Sequence, residues 1–251
     1  MGRHLSNLPT ELTSFVGRRE ELREVKRLLT STRLLTLTGS GGVGKTKLAL
    51  RAAADMSRGF PDGVWLVLLG SIDDPLLVAQ AVLSALGVQD LSAGLSLSSL
   101  TEYLAGKRLL LVLDNCEHLL DACAVLAGTL LAACPDLHVL ATSRQALGVA
   151  GEVRMVVPPM SLPGEGEEVS VQRLLGSDAV WLLCERAAAV VPGFAPRPAA
   201  LGDGRHDGQP ERLRGLCGAG RPTGCAAAGN RPRLWPARPP SASTRSMTAT
   251  A

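Results

Sequence analysis

Apolar positions along this chain follow two rhythms. Between Glu20 and Thr30 they recur at Leu22, Val25, Leu28 and Leu29, the spacing of one helix face. Elsewhere they form short runs: Arg33-Leu-Leu-Thr-Leu-Thr38, Val64-Trp-Leu-Val-Leu-Leu69, Leu109-Leu-Leu-Val-Leu113, Leu137-His-Val-Leu-Ala-Thr142 and Val153-Arg-Met-Val-Val157, the last closed by Pro158-Pro159. A strand apolar at every position must be buried on both faces, which calls for a parallel sheet between helices. Helical stretches alternate with these runs. One covers Lys47–Met56, and a second runs from Asp74-Pro75, an acidic cap with proline at the first turn, to about Leu86. Ser96–Ala105 and Glu117–Ala133 follow, while Phe60-Pro-Asp-Gly63 reads as a turn. The alternation predicts a doubly wound α/β domain with five parallel strands over residues 10–163, preceded by a polar leader at 1–9. Ser177–Val190 is expected to be an amphipathic helix within a smaller helical part, 164–195.

An apolar content of 46% supplies a core, and with only 3% aromatic residues Leu, Val and Ala must fill it. The net charge of +3 conceals a split, since residues 196–251 carry nine Arg against three acids. The body is mildly acidic, and the basic character belongs to the tail. The six cysteines (Cys116, Cys123, Cys134, Cys184, Cys217, Cys225) form no C-x-x-C pair and have no His at zinc spacing, so they read as buried thiols in a reducing compartment. Cys116 and Cys123, seven apart, are expected on one face of one helix. No apolar signal region occupies residues 1–15 and no run is long enough for a bilayer span, so the expectation is a cytoplasmic chain without membrane contact.

The chemistry is concentrated in Gly39-Ser-Gly-Gly-Val-Gly44-Lys45-Thr46, which fits G-x-x-x-x-G-K-[ST] between a predicted strand and a predicted helix. Glycines there let backbone N–H groups wrap a phosphate chain, and the helix N-terminus adds partial positive charge. Lys45 is expected on the β- and γ-phosphates and the Thr46 hydroxyl on Mg²⁺. Gly39, Gly41, Gly42, Val43, Gly44 and Lys47 complete the expected phosphate cradle. Asp114 ends an apolar run at a strand's carboxyl end, the place of a second Mg²⁺ ligand, direct or through water. The next residue is Asn115, which can hydrogen-bond water but cannot take its proton; Glu117 is the nearest carboxylate. Glu117 either orients water or is an acid favoured by the first turn of the next helix. Arg144, ending Ala141-Thr-Ser-Arg144, is either a bidentate reader of the γ-phosphate or a surface residue. His118 has no acid–nucleophile arrangement around it and reads as structural.

Five stretches together resemble the signal-transducing P-loop ATPases (STAND, NB-ARC-like) of bacterial LuxR- or SARP-type transcriptional regulators, relatives of plant-resistance and apoptosis switch ATPases. They are Leu12-Thr-Ser-Phe-Val-Gly-Arg18, Leu35–Thr46, Leu110-Leu-Val-Leu-Asp-Asn-Cys-Glu-His-Leu119, Leu140-Ala-Thr-Ser-Arg144 and Val157-Pro-Pro-Met-Ser-Leu-Pro163. The resemblance spans about residues 8–195. It implies a P-loop NTPase sheet of order 2-3-4-1-5, with ATP or ADP and Mg²⁺ bound. It implies that Phe15, Val16, Gly17 and Arg18 lie against the adenine, that Arg144 senses the γ-phosphate, and that Asn115 is ordinary for the family. DNA would be contacted only by an output domain absent from this chain, and self-association through the ATPase domain is left open.

The helix at Ser177–Val190 resembles the first helix of the family's helical lid, but the Gly-Leu-Pro-Leu-Ala-type turn that should follow is missing. Residues 196–251 turn Gly/Pro/Arg/Ala-rich without periodicity, a composition expected to be disordered. An abrupt, lysine-free, arginine-rich stretch inside a domain is expected of translation in a shifted frame of GC-rich DNA, which would truncate the lid. Finding one unbroken frame, with no kinship in the other frames, would refute that. The sequence therefore carries three functions in order: an ATP-binding, slowly hydrolysing switch module, a free-standing ATPase, and a non-enzymatic DNA-binding protein acting through the basic tail.

Overall fold

Helical spacing in residues 20–30 becomes α1 (Arg19–Ser31), which buries Val25 and Leu29. In chain order follow β1 (Leu34–Thr38), α2 (Lys45–Met56), β2 (Val64–Leu68), α3 (Val78–Ala85), α4 (Leu97–Leu104), β3 (Leu110–Asp114), α5 (Leu120–Ala133), β4 (His138–Ser143), β5 (Val153–Val156) and α6 (Asp178–Val190). This computed structural model describes residues 5–11, 13–88, 96–162 and 177–191, all within one unit, Met1–Cys217. A second unit, Gly218–Ala251, lies outside the described residues, as do the whole of 196–251 and the segment 163–176 that leads to α6.

The five strands form one sheet of order β2-β3-β4-β1-β5, and every neighbouring pair is parallel. The runs apolar at every position are explained by the two faces of this sheet. Leu111 and Leu113 of β3 pack with Val139 and Ala141 of β4 against α3, α4 and α5. Leu110 and Val112, with Leu35, Leu37 and Leu140, pack on the opposite face against α1 and α2. Alternation with period two thus divides the inner strands between two cores, while the edge strand β5 packs only Val153 and Met155, on the α1–α2 side. Each fully buried Leu side chain contributes about 1.5–3 kcal/mol.

Two predicted helix starts are corrected. The helix expected from Asp74 opens as one 3₁₀ turn, Pro75–Leu77, capped by the Asp74 carboxylate accepting from the Leu76 N–H at 2.9 Å. The helix expected from Glu117 opens as the 3₁₀ turn Cys116–His118, and α5 starts only at Leu120. Asn115, left-handed at φ 68°, and Leu119, at φ −127° and ψ 31°, break continuity on either side of that turn. Glu117 is therefore not in the first turn of α5, and Cys116 and Cys123 do not share a helix. The two thiols nonetheless meet in the core, where interaction with Cys123 and burial push the Cys116 thiol far above its ordinary range, while Cys116 Sγ donates to the Leu113 carbonyl at 3.5 Å. The four described cysteines are all free.

The described part of the leader is structured. Ser6 pairs in parallel with Val64, whose N–H donates to the Leu5 carbonyl at 3.1 Å. The Asn7 side chain then imitates a strand: its Oδ1 accepts from the Leu66 N–H at 2.6 Å and its Nδ2 donates to the Leu66 carbonyl at 2.8 Å. The open side of β2 is covered in this way. At the other end of the described chain, α6 forms where expected, with none of its residues fully buried. No helix among the described residues is long and apolar enough to cross a membrane.

Candidate nucleotide site

The sheet order brings three strand ends together. β4 lies between β1, which feeds the glycine loop, and β3, which ends in Asp114. The loop turns sharply at Gly39, where φ is 150° and an added Cβ would stand 2.7 Å from the Val157 carbonyl oxygen. Glycine is required there on both counts. Gly42 and Gly44 also take positive φ, and Gly44 caps α2. Nothing lies within 4 Å of the position of a Cβ at Gly42. Lys45 is buried and folds back across the loop, donating from Nζ to the carbonyls of Gly39 at 2.9 Å and Ser40 at 3.0 Å.

Asp114 is held by two hydroxyls. Thr46 Oγ1 and Thr142 Oγ1 each donate to Asp114 Oδ1 at 2.7 Å. The register of β3 on β4 pairs Leu113 with Ala141, which sets Thr142 beside Asp114. Thr142 Oγ1 also accepts from the Asn115 N–H at 3.0 Å, so one buried hydroxyl fixes both the acid and the turn after it. Sequence reasoning passed over Thr142. Its signal was a hydroxyl residue placed between the apolar part of a strand and a candidate phosphate arginine. The Asn115 side chain is turned toward Gly70, with Nδ2 3.3 Å from where a Cβ there would stand. Asn tolerates the left-handed backbone at this position better than most residues.

Arg144 follows β4 and is mostly exposed, with Nη2 3.6 Å from the position of a Gly41 Cβ. Its Nε donates to Glu117 Oε1 at 3.2 Å, while the buried Glu117 Oε2 has no hydrogen-bond partner. His118 is structural in its contacts: Nε2 lies 3.1 Å from the Leu69 carbonyl and 2.9 Å from that of Ile72, and since both accept, this nitrogen carries the proton. It pins the 3₁₀ turn that bears Glu117.

The 15–18 segment is divided. Gly17 and Arg18 line a cleft of about 890 Å³ with Pro158, Met160, Asp178 and Trp181. Phe15 lies instead in a neighbouring 490 Å³ cleft, 5.8 Å from the Arg51 guanidinium, and Val16 is buried. The Arg18 guanidinium turns inward, donating from Nη2 to the carbonyls of Val43 at 2.6 Å and Pro158 at 2.8 Å. It braces the glycine loop against the segment after β5, and the Arg18 backbone is also engaged, its carbonyl accepting from the Leu22 N–H at 2.9 Å. The ammonium of Lys47 is likewise directed away from the loop, to Thr13 Oγ1 at 2.7 Å. Gly17 is left-handed at φ 67°, and a Cβ there would fall 2.4 Å from the Asp178 carboxyl carbon. That carboxylate accepts from the Arg18 N–H at 3.3 Å, and Arg186 donates to the Ser14 carbonyl at 3.1 Å, so α6 is docked on this segment at two points.

Residues 18–190 match the family model of the NB-ARC domain. The chain belongs to the NB-ARC family. This NB-ARC chain is 47% identical over 163 residues to the uncharacterised protein Rv0894 of Mycobacterium tuberculosis, covering 64% of the chain and 41% of that protein. It is 43% identical over 170 residues to Rv0890c of the same organism, named as a candidate HTH-type transcriptional regulator, covering 68% and 18%. The regulatory protein AfsR of Streptomyces griseus is 30% identical over 206 residues, covering 76% and 20%. The chain thus spans 41% or less of the length of these relatives. Kinship with ATPase modules of bacterial regulators is as the sequence implied; these relatives do not distinguish a LuxR type. Among solved structures, the ORC2 protein of Aeropyrum pernix in ADPNP–ADP complexes superposes with a TM-score of 0.44 at 11% identity, over 59% of this chain and 50% of that one. The STAND protein with a tetratricopeptide repeat sensor from Pyrococcus horikoshii gives 0.34 at 19%, over 59% and 24%.

Proposed function

We propose that this NB-ARC chain is the switch module of a cytoplasmic bacterial transcriptional regulator, binding ATP or ADP with Mg²⁺ and hydrolysing ATP slowly. The observation that carries the reading is Asp114 Oδ1, held by the hydroxyls of Thr46, directly after the glycine loop, and Thr142. Hard oxygen donors at the mouth of a phosphate cradle suit a phosphate-bound Mg²⁺. Thr46 and Asp114 would hold the ion, which when bound neutralises phosphate charge. Lys45 exchanges the carbonyls of Gly39 and Ser40 for β- and γ-phosphate oxygens. Arg144, beside Gly41 with its Nη groups exposed, contacts the γ-phosphate and so distinguishes ATP from ADP. The base lies in the cleft that Gly17 and Arg18 line.

Turnover is slow because Asn115, directly after the acid, has no basic group and its side chain faces Gly70. Glu117 is the nearest carboxylate, but its Oε1 is taken by Arg144 and its Oε2 is buried, which also leaves the attacking water without a ready base. Switching requires that ATP and ADP bind two arrangements of the chain with different affinity. The contacts of Asp178 and Arg186 with the 14–18 segment supply a link from the nucleotide to α6. DNA would be reached through a separate output domain, as the name of the HTH-type relative suggests.

The test is the affinity of the purified chain for ATP and ADP with Mg²⁺, beside Lys45→Ala. Binding that the variant loses at least about a hundredfold supports the reading, since charged hydrogen bonds to phosphate are each worth about 1.5–3 kcal/mol. A folded parent chain that binds neither nucleotide overturns it.

A further inference from the structure

We propose that Glu117 is a positioning residue for Arg144, fixing its guanidinium so that the two Nη groups face a phosphate in the glycine loop. The inference deepens the proposed function and rests on Arg144 as the γ-phosphate contact.

Three observations carry it. The contact between the two side chains uses Nε of Arg144 and leaves both Nη groups without a hydrogen bond among the described residues. Nη2 lies over Gly41, within the loop. The two partners also differ in freedom: the Arg144 side chain is 69% exposed and that of Glu117 20%. Glu117 is the fixed partner because its 3₁₀ turn is held on both sides, by buried Cys116 and by His118 bonded to the carbonyls of Leu69 and Ile72. An exposed arginine samples many rotamers, and pinning Nε removes most of that freedom while leaving the bidentate edge of the fork for the phosphate. The Arg144 side of the ion pair is open to solvent, so the pair contributes little to folding. Its effect is on the direction of Arg144.

The experiment is isothermal titration of the parent chain, Arg144→Ala, Glu117→Ala, Glu117→Gln and the double alanine variant with Mg²⁺-ATP and Mg²⁺-ADP. The readout is the ratio of ATP to ADP affinity, with a thermal melt of each variant to establish folding. Arg144→Ala should reduce the ratio about tenfold, as expected for one charge-assisted contact. Glu117→Ala should reduce it about threefold to fivefold, the range of an exposed pair. Glu117→Gln, which keeps an acceptor, should fall between the parent and Glu117→Ala. The double variant should be no lower than Arg144→Ala alone. A ratio unchanged in Glu117→Ala but collapsed in Arg144→Ala overturns the positioning role and leaves the sensor intact; a fall in hydrolysis alone would then assign Glu117 to water. A ratio unchanged in Arg144→Ala overturns the sensor reading and this proposal with it. Additive losses in the double variant overturn the proposal by showing that the two residues act separately.

Discussion

Replacing Thr142 by Val keeps the shape of the side chain and removes one hydroxyl, which makes it a clean probe of the site's foundation. Thr142 is 1% exposed, and its hydroxyl donates to Asp114 Oδ1 at 2.7 Å and accepts from the Asn115 N–H at 3.0 Å. Loss of the acceptor leaves a partly buried N–H unpaired, a cost of about 1–3 kcal/mol. Loss of the donor weakens the hold on Asp114, which keeps Thr46, by about 1 kcal/mol more. The expected total of about 2–4 kcal/mol is a large part of the roughly 5–15 kcal/mol that stabilises a typical domain. Urea unfolding followed by tryptophan fluorescence should show the midpoint lowered by about 1–2 M, taking a slope of about 2 kcal/mol per M. Thr142→Ser, which retains both bonds and loses only a buried methyl group, should lower the midpoint by only about 0.4 M. The reasoning is refuted if Thr142→Val unfolds within about 0.3 M of the parent, or if the Ser and Val variants unfold together.

Other substitutions probe the surroundings of the site. Gly17→Ala must place a methyl 2.4 Å from the Asp178 carboxyl carbon at a left-handed backbone position. It should cost at least about 1–2 kcal/mol and make α6 the first segment released in limited proteolysis; an unchanged cleavage pattern would refute the docking of α6 on Gly17. Arg18→Met removes the brace between the Val43 and Pro158 carbonyls. It should lower stability by about 1–3 kcal/mol and weaken ADP binding, and titration that finds ADP affinity unaltered would show that the loop needs no brace. His138 is held below its ordinary pKa of 6.5, chiefly by burial. The native chain therefore binds fewer protons there than the unfolded chain, and the stability conferred by the neutral ring is complete above pH 6.5. It is lost as pH falls from that value through the lowered native one. Melting temperatures across that window should fall with pH in the parent and more gently in His138→Phe; parallel slopes would remove His138 from the explanation.

The sheet and the phosphate loop were legible because each rests on a local signal that tertiary packing reinforces. Leu109–Leu113 is apolar throughout since one sheet separates two cores, and Gly39–Thr46 is spelled by backbone geometry. What escaped was set by contacts distant in sequence. Nothing near Arg18 shows that its guanidinium will be used to brace the loop, since its acceptors, Val43 and Pro158, lie 25 and 140 residues away. Thr142 acquired its role from the β3–β4 register, which no single strand encodes. The start of α5 was misplaced because the left-handed turn at Asn115 and the bonds of His118 to the loop after β2 outweigh the helical spacing of residues 117–119. Asn7 read as part of a polar leader, although its amide does the work of a backbone unit.

That amide has a consequence for handling and assembly. An exposed strand edge is a template on which other chains can add strands. In this protein the side of β2 away from β3 is occupied by Leu5, Ser6 and the carboxamide of Asn7, which satisfies both backbone groups of Leu66. Trimming the chain to a start beyond Leu8, or replacing Asn7 with Leu, would uncover a sticky β-rim. Boundaries chosen from the phosphate loop alone would then yield a protein that self-associates at its flank, and an oligomer seen with such a fragment would report the cut rather than the switch.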